Sequence, residues 1–239
     1  MSSGNIDWIH VLEREGTLLS TAARHDPTAE VPTCPGWRVD DLLRHVSVTH
    51  RWSERIVRER MMERAELETP PSHDSLSWYE AGLAQLVATL RATDLSTPVW
   101  TFSAADRTAR FWARRQAHET QVHRVDAELA TGKVTPIDPA VAVDGIAESL
   151  EVMAPRMAKA GVTAGGTVHL HATDVEGEWL IRFLDGAIEV EQGHAKGDAA
   201  VRGPAADLYL WLWGRHDGTG LEVFGDQAVA DRLAALTRV

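Results

Sequence analysis

The chain has 239 residues, 44% apolar and 25% charged, with a formal net charge of −11. That length suits one large domain or two of ordinary size, and the composition excludes disorder and collagen-like repeats. The acidic balance argues against a nucleic-acid partner, which needs a basic face, and offers nothing to attract an anionic membrane surface. A few buried arginines could still reverse the local field for a small anionic substrate.

No apolar run approaches the roughly 20 residues that span a bilayer. The opening MSSGNIDWIHVLERE has no basic segment followed by an apolar stretch, so no secretory signal is expected. Cys34 is the single cysteine, which excludes an internal disulfide. These features together predict a cytoplasmic protein.

Residues 5–23 space Ile6, Ile9, Leu12, Leu19 and Ala22 at helical intervals, with Asn5 as expected N-cap. EVPTCPGW (30–37) reads as a loop. A second helix is expected over 39–65, through Leu42, Leu43, Val46, Trp52, Ile56 and Met61, and PPSHDS (70–75) ends it. A third opens at Ser75 or Ser77 and carries Leu83, Leu86 and Leu90. DLSTPVWTF (94–102) is an extended connection. A fourth helix runs from about Thr108 to Ala130 and stops at Thr131-Gly132. Four amphipathic helices with short to medium links predict a bundle over residues 1–135.

GKVTPIDP (132–139) reads as a link, and the composition then changes. A helix over 140–160 precedes strands at 167–173, 178–184 and 187–192, the last two joined by Asp185-Gly186. AAVRG (199–203) is a fourth strand and LEVF (221–224) a fifth. Helices are expected at 204–215, opening on Pro204, and at 226–236, capped by Asp226. Residues 140–239 therefore predict an α+β domain.

The strongest chemical signal is RRQAHETQVHRVDAE (114–128). His118 and His123 are five apart, about 140° around a helix, and cannot share an ion from one face. The metalloprotease motif needs histidines four apart, and residue 122 is Val, so a peptidase is rejected. Glu119 and His123 are four apart, within about 40° on one face, and can reach one ion. The alternative is a surface Glu–His contact. A third ligand would come from the second helix, where His45 and His50 are the candidates. His45 falls on the apolar, inward side. His50, about 140° away, is expected to face water or an interhelix groove.

VPTCPGWRVDDLLRHVSVTHRW (31–52) followed by RRQAHETQVHRVDAE (114–128) resembles the mycothiol-dependent maleylpyruvate isomerase family, within the DinB-like group of metal-binding four-helix bundles. The resemblance spans the chain: residues 145–236, with DLYLWLWGR, are similar to that family's sterol-carrier-like domain. It implies a divalent metal, usually zinc, held by His45, Glu119 and His123, and mycothiol as a small-thiol cofactor. Three protein ligands leave zinc an open position, which suits a thiolate. The implied reaction is cis–trans isomerisation: the thiolate adds to an electron-poor alkene, the single bond rotates, and elimination returns the thiol. A thiol S-transferase is the variant on that chemistry. A non-enzymatic small-ligand-binding protein with a structural zinc is the alternative.

An isomerase substrate of this kind is a dicarboxylate, which calls for cations. Arg44, Arg114, Arg115 and Arg215 are the candidates. Arg215, after the Trp211/Trp213 helix, is taken as the catalytic cation, against a plain role at the helix end. Asp126, three residues after His123, is either a partner orienting that ligand or a solvated acid. Arg38 stands where the family more often has a capping Ser or Thr. Cys34 reads as a small loop residue. His169 and His171 alternate on a strand and point one way; lacking a third ligand, they read as exposed strand residues. His10, His25, His73, His194 and His216 form no pattern.

Overall fold

The computed structural model describes residues 6–159 and 161–237. It is an α+β chain that divides into two compact units, Asn5–Thr135 and Pro136–Val239. Among the described residues no helix is long and apolar enough to cross a membrane.

The first unit is a bundle of α1 (Trp8–His25), α2 (Val39–Arg58), α3 (Ser75–Ala92) and α4 (Ala109–Thr131). The cap of α1 is Asp7, whose Oδ1 accepts from the backbone N–H of Ile9 at 3.1 Å and His10 at 3.0 Å. The expected Asn5 cap lies outside the described residues. Arg38 precedes α2 and cannot accept a capping bond, because guanidinium carries only donors. Asp41 supplies half the function instead, accepting the Arg38 N–H at 3.0 Å. α2 ends at Arg58, seven residues short of the apolar pattern. Arg60 takes a positive φ of 50°, and the Met61 carbonyl accepts from Trp100 N–H. α4 stops at Gly132, φ +107°, whose N–H bonds Glu128 O at 2.8 Å.

α1 packs on α3 and α4, and α2 on the same two helices. Leu12, Leu19, Leu42, Leu43, Ile56, Leu86 and Leu90 fill the centre. α4 is buried around most of its circumference, burying Arg115, Gln116, His118, Thr120, Gln121 and Arg124 as well as its apolar residues. Such a helix must satisfy its polar groups internally, so its motif faces the protein.

The second unit holds α5 (Pro139–Lys159), β1 (Thr167–Ala172), β2 (Glu178–Leu184), β3 (Ala187–Gln192), β4 (Ala199–Gly203), α6 (Ala205–Leu212), β5 (Glu222–Gly225) and α7 (Gln227–Thr237). The sheet order is β3-β2-β1-β4-β5, all antiparallel except β1 with β4. The β2–β3 turn uses Gly186 at φ +70°. Val168, Leu170, Trp179, Ile181, Phe183 and Val201 form the buried side-chain row of the sheet. Thr167, His169, His171, Glu178 and Arg182 alternate onto the other face.

Candidate metal centre

His45 projects from α2, and Glu119 and His123 from adjacent turns of α4. Glu119 Oε1 lies 3.2 Å from His45 Nε2 and 3.4 Å from His123 Nε2. One ligand atom from each residue falls within 4.8 Å of the other two. Ligand bonds of about 2.0–2.1 Å around a tetrahedral ion put donor atoms about 3.3 Å apart. Two imidazoles and a carboxylate at these separations fit a borderline divalent ion such as zinc.

The three side chains are held from behind. Arg115, one turn before Glu119, bonds its other carboxylate oxygen, Oε2. His123 Nδ1 meets Asp126 Oδ2 at 2.8 Å, which fixes the ring and leaves Nε2 toward Glu119. Asp126 is fully buried, so the solvated-acid reading is wrong. Its Oδ1 accepts from Thr33 Oγ1, and Cys34 Sγ lies 3.7 Å from its Oδ2. The 31–37 loop is thus anchored to a residue that orients His123. From the same loop Trp37 packs edge-on against His45, centroids 5.2 Å apart. The front stays open, since the His45 side chain is 39% exposed.

The electrostatics are those of an anion held among cations. Burial disfavours the charged Glu119, yet Arg115 and hydrogen bonds from His123 and His45 keep its carboxyl well below the usual range. Burial also disfavours protonated His123, but Asp126 and Glu119 outweigh it and push the metal-free imidazole up to about 9. An ion held by His123 would have to displace that proton, and its binding would release acid.

His50 lies between helices rather than toward water. It is fully buried, bonding Thr120 Oγ1 at 2.8 Å and lying 5.6 Å from the Tyr79 ring. α2 packs on α3 and α4 at once, so its buried arc is wide enough to cover a residue 140° from His45. His118 packs on Trp8 at 5.0 Å between ring centroids. Arg44 is engaged by Asp40, Asp41 and Pro71 O. Arg114 is half-buried on α4. Arg215, half-buried after α6, donates to Trp213 O at 2.6 Å.

Sequence reasoning did not find Thr33 or Trp37, whose roles depend on a loop folding onto two helices. Arg115, expected as a candidate cation for substrate, instead pairs with Glu119, and the four-residue spacing on one helix is the signal for that pair. His169 is buried rather than exposed, beneath Glu178 and His194.

A family model described as the mycothiol maleylpyruvate isomerase N-terminal domain matches residues 10–128. A second, described as the MDMPI C-terminal domain, matches residues 140–232. Among solved structures the chain resembles a crystal structure of the mycothiol-dependent maleylpyruvate isomerase, with a TM-score of 0.64 and 15% identity, over 93% of this chain and 95% of that one. A mutant of that isomerase with histidine replaced by alanine gives 0.62, with the same identity and coverage. At such identity the likeness speaks for the fold. No curated protein matches the chain. With one model spanning most of the helical bundle and the other most of the sheet unit, the chain belongs to the mycothiol-dependent maleylpyruvate isomerase family.

Proposed function

We propose that the protein is a cytoplasmic enzyme using a divalent metal, by preference zinc, and a small thiol of the mycothiol type to isomerise an electron-poor cis-alkene dicarboxylate. The observation that carries this reading is the convergence of His45, Glu119 and His123 with one side open. When bound, the ion supplies a Lewis-acid position that favours the thiolate over the thiol.

The chain's own residues do the rest. His45, Glu119 and His123 hold the ion. Arg115 fixes Glu119, and Asp126 fixes His123 in the tautomer whose Nε2 can bind metal. Trp37 covers one flank of His45 and narrows the solvent approach. Arg215 is assigned the contact to a substrate carboxylate, a role suited to a bidentate guanidinium.

The test is zinc-loaded protein mixed with mycothiol and maleylpyruvate, followed by chromatography of substrate, product and thiol. Formation of the trans isomer with thiol unchanged in amount supports the isomerase. Consumption of thiol into a stable adduct turns the reading to a thiol transferase. Zinc bound without any thiol binding turns it to a small-ligand-binding protein braced by its metal.

A further inference from the structure

A second cluster of ligating side chains lies in the sheet unit. His169 on β1 and Glu178 on β2 share one face, because the antiparallel register sets His171 opposite Glu178 and His169 two positions along. His194, from the β3–β4 connection, comes down on the same carboxylate. Glu178 Oε2 lies 2.8 Å from His169 Nε2 and 2.7 Å from His194 Nδ1. His171 Nε2 is 3.9 Å from Oε1. Among the described residues no lysine or arginine pairs with Glu178. The nearby Arg182 is taken by Glu189 and Glu191, and Arg202 by Glu222. The carboxylate therefore faces three imidazoles and no fixed cation.

The loop that delivers His194 is held at both ends. Gly193 N–H donates to Glu178 O at 2.9 Å. Asp198 Oδ2 accepts from Thr167 N–H at 2.9 Å and Thr167 Oγ1 at 2.8 Å. Between them Gly197 presses on β1 so closely that a Cβ there would sit 2.9 Å from His169 N and 2.6 Å from Ala199 O. The His194 side chain is exposed, yet the bond from Gly193 fixes the neighbouring backbone against Glu178. The His194 and His169 rings stand edge to face, with centroids 5.3 Å apart.

We infer that His169, Glu178 and His194 form a second site for a borderline divalent transition metal. Two imidazoles and one carboxylate suit zinc, nickel or copper(II) rather than calcium or magnesium, which prefer all-oxygen sites. The ion would tie the β3–β4 loop to β1 and β2. This site is independent of the one in the bundle.

The experiment is calorimetric titration of Zn2+ into chelator-treated full-length protein. Four forms are compared: the natural sequence, the double variant His45→Ala/Glu119→Gln, His194→Ala, and all three changes together. Two ions per chain are expected for the natural sequence and one for each of the middle forms, with none for the triple variant. His194 is on the surface, so its loss leaves the fold intact, which circular dichroism checks. No Zn2+ bound by the double variant, or binding there that His194→Ala does not abolish, overturns the second site. Failure of the bundle site reads differently: His45→Ala/Glu119→Gln would then leave the stoichiometry of the natural sequence unchanged.

Discussion

Asp126 Oδ2 meets His123 Nδ1 at 2.8 Å, while the other oxygen of the same carboxylate accepts from Thr33 Oγ1. One buried group therefore orients a proposed ligand and anchors the loop that carries Trp37. Asp126→Ala is expected to weaken zinc binding by about 10–100-fold, the usual effect of losing such a partner. Asp126→Asn keeps a carbonyl acceptor for the ring and is expected to lose less. Competition with a chromophoric chelator measures both. Equal affinity in all three proteins would show that Asp126 does not act through His123.

Substitutions at Glu119 test the proposed metal site apart from the fold. Glu119→Gln, His45→Ala and His123→Ala are each expected to remove most of the bundle metal, read by elemental analysis, with helical circular dichroism retained. Glu119→Ala has a further effect. It deletes the carboxylate to which buried Arg115 donates, which should lower the stability of the metal-free protein. Glu119→Gln retains an acceptor and should unfold in urea closer to the natural sequence. Equal urea midpoints for the two would mean that Arg115 relaxes without loss.

His50 predicts an acid sensitivity. Thr120 Oγ1 donates to Gln116 O at 2.6 Å, so it accepts from His50 Nε2–H. Nδ1 is then the unprotonated nitrogen, and it is buried with no hydrogen-bond partner. Protonating it would bury a charge with no acceptor, and burial lowers the pKa from 6.5 to about 3. The neutral form is the folded form. Its stabilising contribution is complete above pH 6.5 and falls as pH drops from there toward 3, by up to about 1.4 kcal/mol per unit. Urea unfolding of metal-free protein at several pH values checks this against His50→Gln, whose profile should be flatter between pH 6.5 and 5 by about 2 kcal/mol. Parallel profiles would exclude His50 as the cause.

The helices, their stop at Gly132 and the Glu119/His123 face were legible because each depends on local spacing. What was missed depends on partners distant in sequence. The apolar pattern of α2 ran on to residue 65, but the 94–102 segment competes for the Met61 carbonyl and the helix gives way at Arg60. The place of His50 followed from α2 having two neighbours, which one helix wheel does not reveal. His169 read as an exposed strand residue because its companions, Glu178 and His194, come from another strand and a loop, and only the register brings them together.

The opposite side of α4 carries a network that sets the helix in place. Arg124 follows His123 but turns away from it, toward α1. Its Nε donates to Glu15 Oε2 at 2.8 Å, and its Nη1 donates to Glu128 Oε2 at 2.7 Å and Thr135 O at 2.6 Å. Arg124 and Glu15 are both fully buried. Glu128 has further donors in Thr135 N–H and Oγ1, each at 2.8 Å, whereas Arg14 reaches Glu15 only at 3.5 Å. Arg124→Met keeps much of the volume and leaves Glu15 buried with far less compensation. The expected cost is about 3–5 kcal/mol, measured by urea unfolding. Glu15→Gln retains an acceptor for Nε and should cost clearly less. Because α1 then holds α4 less firmly, Arg124→Met should also weaken zinc binding at His123 although it touches no ligand. Weaker stability with unchanged zinc affinity would show that α2 and the 31–37 loop alone keep the metal face of α4 in register.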